Sequence, residues 1–325
     1  MKLFSFQPGT FLITVVAFVM VKKDQELLSV RLNTTRSVDA KHKLKQPDYD
    51  CLLPSVSPDG KKMLFTSTRD AKNNGKEFSE FLYVSNLDGS GVSMIPPPAD
   101  SVIYYGNGHL LKGNRQAVYT VKIGKATQLA ISDIDGKNFQ LLTASKENIV
   151  NIAVSPNGEH IVYAATRNKN RDIFRFDLKT KTEARLTTDS LTDDMPSFSG
   201  NGKQIAFTSN REGNFNIYVM DINGGNVKRI TNNEAHYEAP ALSPDGKKLA
   251  FTSRKGTEGS VQIMNIDGTN AVVVSTHLSR FAGIANGKPF WSPDSKTLFF
   301  DRLEENRHFR IYAIQSDGTN KHVIL

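Results

Sequence analysis

The chain has 325 residues, of which 38% are hydrophobic and 23% charged, a composition typical of a water-soluble globular protein. The net charge of +8 comes from scattered lysine pairs at turns. Because no basic stripe interleaves with aromatic residues, a nucleic-acid-binding surface is disfavoured. The single cysteine, Cys51, excludes an internal disulfide and a cysteine-based metal cluster. Its apolar neighbours predict a buried structural thiol.

Residues 1–50 allow two interpretations. Lys2, the apolar run Phe11–Val21 and Lys22-Lys23 resemble a signal peptide or a membrane anchor over residues 1–22. The run is shorter than the roughly 20 apolar residues that a membrane span needs, and no small-x-small cleavage site accompanies it. We therefore favour the second interpretation, in which residues 1–50 form a first unit of antiparallel strands. Its strands would be Phe11–Val21, Leu27–Leu32 and Val38–Leu44.

The rest of the chain repeats one pattern, which is clearest in Pro240–Asn270. A short strand leads to Ser-Pro-Asp-Gly, a second strand is rich in β-branched and aromatic residues, and an apolar third strand ends at Asp-Gly. Proline presets φ, aspartate bonds its own backbone and glycine takes the positive φ of a tight turn. The marks that recur at this first turn are Gly9, Gly60, Gly113, Gly158, Gly202, Gly246 and Ser295.

These marks are 44 to 53 residues apart, a spacing typical of four-stranded propeller blades. Four short strands cannot bury a core alone, so the units must stack on one another. We predict an all-β propeller of four-stranded antiparallel blades, a single domain over residues 1–325. Seven blades are preferred and six are the alternative. A solenoid is the competing architecture, but hairpin turns in every unit favour antiparallel meanders.

The strings SPDGKKLAFTS (Ser243–Ser253) and IYVMD (Ile217–Asp221) resemble the TolB-like β-propeller repeat, which is WD40-like. The resemblance implies that the first strand of each blade lines a central channel. It also implies a periplasmic or other extracytoplasmic location, although no clean cleavable signal peptide is seen. The family also implies six blades and a separate N-terminal α/β domain, whereas we count up to seven units and expect no such domain.

The sequence bears on two kinds of enzyme site. A serine peptidase of the α/β-hydrolase type needs a Gly-x-Ser-x-Gly elbow, and the sequence has none. A related seven-bladed propeller, oligogalacturonate lyase, holds a divalent cation with convergent histidines. By that resemblance, His109, His236 and His277 could form a metal site here. A metal-dependent polysaccharide lyase or hydrolase is therefore the alternative function, and apart from this cation no cofactor is expected.

The preferred site is the mouth of the channel, where residues just before the first-strand proline should approach the propeller axis. These residues are Asp50, Asn148, Asp193, Asp194, His236, Tyr237, Glu238, Asn286 and Lys288. Such a mixed polar surface suits a cation, a basic peptide or a carbohydrate, unless the same residues only cap strand ends.

We therefore predict a non-enzymatic binding or scaffold protein that recognises a protein, peptide or glycan at the channel mouth. We expect it to be a monomer with no nucleic-acid partner. Membrane contact is expected only if residues 1–22 are an anchor.

Overall fold

The computed structural model describes residues 16–20, 27–31, 48–70, 80–98, 105–143, 148–167, 169–232, 234–256, 258–277, 288–304 and 308–325. The chain divides into two compact units, Met1–Asp48 and Tyr49–Leu325. Within the described ranges, no helix is long and apolar enough to cross a membrane.

The smaller unit contains one described pair of strands, β1 (Val16–Met20) and β2 (Leu27–Arg31). They pair antiparallel, with Met20 opposite Leu27, inside two of the segments that we predicted as strands. The third predicted segment, Val38–Leu44, lies outside the described residues. A first blade at residues 1–50 and a targeting segment at residues 1–22 both stay predictions.

The larger unit contains six meanders, each made of four strands that follow one another in the chain and pair antiparallel. The first three are β3 (Cys51–Val56), β4 (Lys62–Ser67), β5 (Phe81–Asn86), β6 (Ser93–Met94); β7 (Tyr105–Leu110), β8 (Gln116–Ile123), β9 (Ala126–Asp133), β10 (Gln140–Leu141); and β11 (Asn148–Val154), β12 (His160–Arg167), β13 (Asn170–Asp177), β14 (Glu183–Arg185). The last three are β15 (Asp193–Phe198), β16 (Gln204–Ser209), β17 (Asn216–Asp221), β18 (Lys228–Arg229); β19 (His236–Leu242), β20 (Lys248–Lys255), β21 (Glu258–Asn265), β22 (Val272–His277); and β23 (Phe290–Trp291), β24 (Thr297–Leu303), β25 (Phe309–Gln315), β26 (His322–Val323).

The prediction of four-stranded antiparallel blades is confirmed, but the count differs. Four meanders are separate sheets, and the second and third share one eight-stranded sheet because Asn148 of β11 forms a parallel bridge with Thr127 of β9. The described residues therefore show four separate four-stranded sheets, not the seven that we preferred or the six of the alternative. In residues 1–50 the described strands are only the β1–β2 pair.

The recurrent Ser-Pro-Asp-Gly turn holds itself together. Ser243 Oγ donates to Asp245 Oδ1 at 2.6 Å and accepts from Lys248 N at 2.8 Å, while Gly246 takes a φ of 71°. The same two bonds recur at Ser57, Ser155, Ser199 and Ser292. The Ser-Pro-Asp-Gly motif is therefore structural, since its polar groups form the hydrogen bonds that hold the first hairpin of these meanders.

The hydrophobic core lies between neighbouring meanders. Phe251 and Met264 of the fifth meander, for example, share a cluster with Ala206 and Val219 of the fourth. This is the packing expected of units that cannot bury a core alone. Cys51 is fully buried, as predicted, and burial raises the pKa of its thiol.

The first and sixth meanders also contact each other, so the series closes on itself. Phe299 and Ile311 of the sixth share the hydrophobic cluster of Phe65 in the first. The backbone N–H of Phe309 donates to Asp50 Oδ1 at 2.8 Å. Residues 259 positions apart in sequence are thereby joined.

Candidate ligand-binding channel

The first strands of the six meanders line one cavity of about 280 Å³. Each of β3, β7, β11, β15, β19 and β23 contributes to it, together with the turns that follow most of them. Representative lining residues, one per meander, are Val56, Leu110, Ile152, Ser197, Leu242 and Phe290. We call this space the channel cavity. It reaches the Ser-Pro turns at the end of the first strands.

A β-bulge decides which residues face the channel cavity. The register of the first strand shifts between Asp194 and Ser197 and between Glu238 and Ala241, with equivalent shifts in three more meanders. Met195 and Ala239 sit in these bulges with a φ of 51°, a left-handed conformation that costs a non-glycine residue roughly 1–2 kcal/mol. Because a bulge re-aims the strand that follows it, the residues of these strands that line the cavity lie in the bulge or after it, and those before it do not line it.

The walls of the channel cavity are apolar and rich in proline. Seven prolines line it, namely Pro58, Pro156, Pro196, Pro240, Pro244, Pro289 and Pro293. Phe198 and Trp291 add aromatic surface. The indole N–H of Trp291 donates a hydrogen bond to Ala241 O at 2.9 Å. Proline has no backbone N–H, so much of this wall offers a ligand carbon rather than hydrogen-bond donors.

Two polar atoms in the lining have no hydrogen-bond partner among the described residues, Lys288 Nζ and Ser197 Oγ. Both atoms are buried. Burial lowers the pKa of Lys288 to about 8, against the opposing attraction of Asp194 and Asp301. Neither of these two aspartates lines the cavity. Lys288 was predicted as a site residue, and the structure places it in the cavity.

His109, a member of the candidate metal cluster, lines the same cavity. Its Nδ1 lies 2.8 Å from Ser55 Oγ and its Nε2 lies 3.0 Å from Ile152 O. Burial, with Lys288 nearby, lowers the pKa of His109 to about 4, so the ring is neutral at pH 7. Both ring nitrogens are engaged in bonds between meanders, which leaves neither as a metal ligand in this arrangement.

The three histidines of the metal alternative are not brought together. His236 begins the first strand β19, whereas His277 ends the outermost strand of that meander, where its backbone pairs with Gly259. The prediction had placed His277 ahead of a first strand. Among the described residues, no group of three or more His, Cys, Asp or Glu side chains could hold a metal ion.

The two adjacent acids predicted at the mouth lie before the bulge of β15 and are held in ion pairs. Asp193 is fully buried and accepts from Arg211 at 2.9 Å; burial raises the pKa of its carboxyl group. Asp194 accepts from Arg171 at 2.5 Å and from Asn151 Nδ2 at 2.8 Å. Their carboxylates therefore tie neighbouring hairpins together.

The other predicted mouth residues are spread over several environments. Asp50 closes the ring as described above, with His308 Nδ1 3.2 Å away. Tyr237 packs edge-on against Phe251 and donates its hydroxyl to Asn232 Oδ1 at 2.9 Å. Tyr237 also lines a separate groove of about 830 Å³ whose walls come from the fifth and sixth meanders.

Three mouth candidates keep accessible side chains. Asn148 is exposed, and His236 and Glu238 are half-buried. His236 lies 6.2 Å from Phe215 between ring centres, and its Nδ1 is buried without a partner among the described residues. Asn286 lies outside the described residues.

Sequence reasoning missed Ser197 and the proline-lined wall. The available signal was the proline that recurs three residues before the serine of the turn, at Pro54, Pro196, Pro240 and Pro289. Proline inside a strand indicates an edge or a bulge, and a bulge would have moved the expected site past the proline.

Comparisons with known proteins agree on the fold. The TolB beta propeller domain family matches residues 114–325. The Tol-Pal system protein TolB of Chromobacterium violaceum is 34% identical over 67 residues, which are 21% of this chain and 16% of that protein. The chain therefore matches much less than two thirds of that relative's length.

Two solved structures share the architecture. TolB from Acinetobacter baumannii has a TM-score of 0.64 at 22% identity, covering 84% of this chain and 62% of that one. An oligogalacturonate lyase in complex with manganese has a TM-score of 0.58 at 14% identity, covering 85% and 78%. At these identities the likeness shows the fold alone, an all-β propeller.

Proposed function

Because the chain belongs to the TolB beta propeller family, we propose that it is a non-enzymatic binding or scaffold protein that takes a protein or peptide segment into its central channel. One observation carries this proposal: first strands from all six meanders converge on a single cavity with apolar walls and few polar groups. Concave, largely apolar pockets with a few oriented polar groups are the usual form of ligand sites.

The proposal includes the blade count. We take the two meanders of the eight-stranded sheet as two blades of one six-bladed ring. Each has its own first strand in the channel cavity, and a single parallel bridge joins them. Contacts between the first and sixth meanders support a ring that closes without residues 1–48.

The chemistry of the walls favours a polypeptide over a glycan. A glycan presents many hydroxyl groups that need hydrogen-bond partners when they are buried. The prolines of the wall provide none through their nitrogen atoms, whereas apolar side chains gain free energy from burial against such carbon surface. At the other end of the first strands, Asn148, His236 and Glu238 stay candidates for contacts with the flanking parts of the segment.

The test is to block the cavity without disturbing the outside of the protein. Val154 is half-buried and lines the cavity, so Val154→Trp should narrow it. Val227 is 42% exposed and does not line it, so Val227→Trp adds the same bulk elsewhere. Peptides would be selected on the full-length wild-type protein from a random display library.

We expect Val154→Trp to weaken the selected peptides more than ten-fold and Val227→Trp to leave them unchanged, as measured by fluorescence polarisation. Peptides that bind both variants like the wild type would rule out the channel as the site. Alanine at Asn148, His236 and Glu238 together tests the other end of the channel in the same assay.

The metal-dependent lyase alternative can be checked on the same preparation. After dialysis against manganese and removal of excess metal, metal analysis should find no stoichiometric ion. One ion per chain that is lost in His236→Ala would instead favour the lyase.

A further inference from the structure

Lys288 is the residue that the fold leaves least explained. It precedes β23, and its Nζ is buried in the channel cavity without a hydrogen-bond partner among the described residues. Burying an ammonium group without hydrogen bonds is strongly unfavourable. Such a group in a cavity points to a partner that the described residues do not supply.

The charges around Lys288 do not provide that partner. Asp194 and Asp301 attract it electrostatically, but neither accepts a hydrogen bond from Nζ among the described residues. The oxygens of Asp194 already accept from Arg171 and Asn151. Neither aspartate belongs to the lining of the cavity.

The charge carried by the described lining residues is positive. Among the described lining residues, Lys288 is the one that carries a full charge, since His109 is neutral at pH 7. The remaining lining is proline, aliphatic, aromatic and hydroxyl side chains. In such low-dielectric surroundings a single ammonium group attracts an anion much more strongly than it would in water.

Ser197 supplies a second donor to the same space. It follows the bulge of β15, lines the cavity, and its Oγ is buried without a partner among the described residues. The equivalent positions behave differently, because Ser55 and His109 bond to each other. One ammonium and one hydroxyl match the two oxygens of a carboxylate, and hydrogen bonds of this charged kind are the strong ones.

We propose that the channel cavity binds a carboxylate, with Lys288 Nζ and Ser197 Oγ as its hydrogen-bond donors and an attached apolar group against the proline-lined wall. A phosphate fits less well, because its double charge calls for more donors or an arginine fork. The volume of about 280 Å³ equals that of about nine water molecules in the liquid. It therefore suits a small acid or the end of a peptide chain. The inference deepens the proposed function, since it rests on the channel being the binding site.

Four probes separate the possible sources of the carboxylate. Hexanoate and hexanamide have the same shape and differ in charge. Acetyl-trialanyl-phenylalanine, as the free acid and as the amide, makes the same comparison for a chain terminus. Binding would be measured by calorimetry on the full-length protein at pH 7.

We expect at least one of the two acids to bind at least ten-fold more tightly than its amide. Lys288→Met should remove that preference, and Ser197→Ala should weaken the acid about ten-fold, as expected for a hydrogen bond to a charged group. The exposed Lys296, changed to methionine, is the matched control and should change nothing. Binding of the acid should also weaken above pH 8, where Lys288 loses its proton.

Each binding result either supports or overturns the inference of a carboxylate site. Binding of hexanoate supports a small acid as ligand, and binding of the free-acid peptide alone supports a chain terminus. Equal binding of the acid and amide peptides, abolished by Val154→Trp, would overturn the carboxylate inference while the proposed function stands. No binding of either acid at millimolar concentration would overturn the inference as well. Since Ser197→Ala removes one atom, it keeps the test decisive even if Lys288→Met does not fold.

Discussion

Lys288→Met should stabilise the protein at pH 7. Burial lowers the pKa of Lys288 from 10.5 to about 8, and each pKa unit is worth about 1.4 kcal/mol. The charged form of this side chain therefore destabilises the fold by about 3 kcal/mol at pH 7. Methionine has a similar length and no charge, so it should recover most of that free energy. For a protein of 325 residues, the melting temperature should rise by about 4–5 °C.

The pH dependence gives a second, independent readout. The unfolded chain keeps the Lys288 proton up to a pH near 10.5, whereas the folded chain releases it near 8. Between these pH values the unfolded state binds more protons, so the stability of the wild type should rise with pH. Below pH 8 the destabilisation of the fold by the charged Lys288 side chain is fully present. In Lys288→Met the contribution of this group to the rise should be absent.

Urea unfolding at pH 7, 8.5 and 10, followed by circular dichroism, measures both effects. Trp291 is the single tryptophan, but it lines the same cavity, so its fluorescence is a less neutral probe. Lys296→Met controls for the loss of one positive charge. A variant less stable than the wild type at pH 7 would refute the reasoning, because it would mean that attraction to Asp194 and Asp301 outweighs burial.

Three further predictions concern stability and can be measured by thermal unfolding of the full-length protein. Gly200→Ala should lower the free energy of unfolding by about 3 kcal/mol or more, because the added Cβ would lie 1.9 Å from a backbone carbonyl oxygen of the neighbouring turn. In the control Gly225→Ala the added Cβ meets no atom within 4 Å, so the stability should change little. Equal melting temperatures for the two variants would contradict this prediction. Asp193→Asn should lower the free energy of unfolding by about 1 kcal/mol or less, because burial already disfavours the charged carboxyl group of Asp193 and Arg211 keeps its ion pair with Asp189 at 2.9 Å. A loss above about 3 kcal/mol would show that the Asp193–Arg211 pair is strongly stabilising. Between about pH 4 and 6.5 the unfolded wild type binds more protons at His109 than the folded protein does, so acidification lowers its stability. His109→Gln should reduce this pH dependence of the stability. An unchanged slope would show that His109 does not cause the loss of stability.

The blades could be read from the sequence because the interactions that define them are local. Ser243 forms hydrogen bonds with Asp245, two positions later, and with the backbone of Lys248, five positions later. The conformation of the turn is therefore fixed by its own residues. The same holds for the period of the repeats, since a unit that cannot bury its own core must recur. The burial of Cys51 followed from its apolar neighbours.

The candidate site was only partly predictable, because a bulge decides which side chains face the channel. Asp193, Asp194 and Ser197 are within five positions on one strand, yet the two acids form ion pairs and the serine lines the cavity. Sequence periodicity assumes a regular strand, so it pointed to residues before the proline, whereas in this strand the cavity is lined by the proline and residues after it. Lys288, a predicted mouth residue, lines the cavity, but no local pattern indicates that its Nζ has no hydrogen-bond partner among the described residues.

The sequence by itself determined the all-β repeat, its turns and the stacking of its units, because each depends on residues a few positions apart. Only the tertiary structure decided how the ring closes and what the channel contains. Asp50 receives the backbone N–H of Phe309, 259 positions away. Lys288 and Ser197 reach one cavity from different meanders. The reason is physical: the partners of a buried charge are set by which strands converge, and no local pattern encodes that convergence.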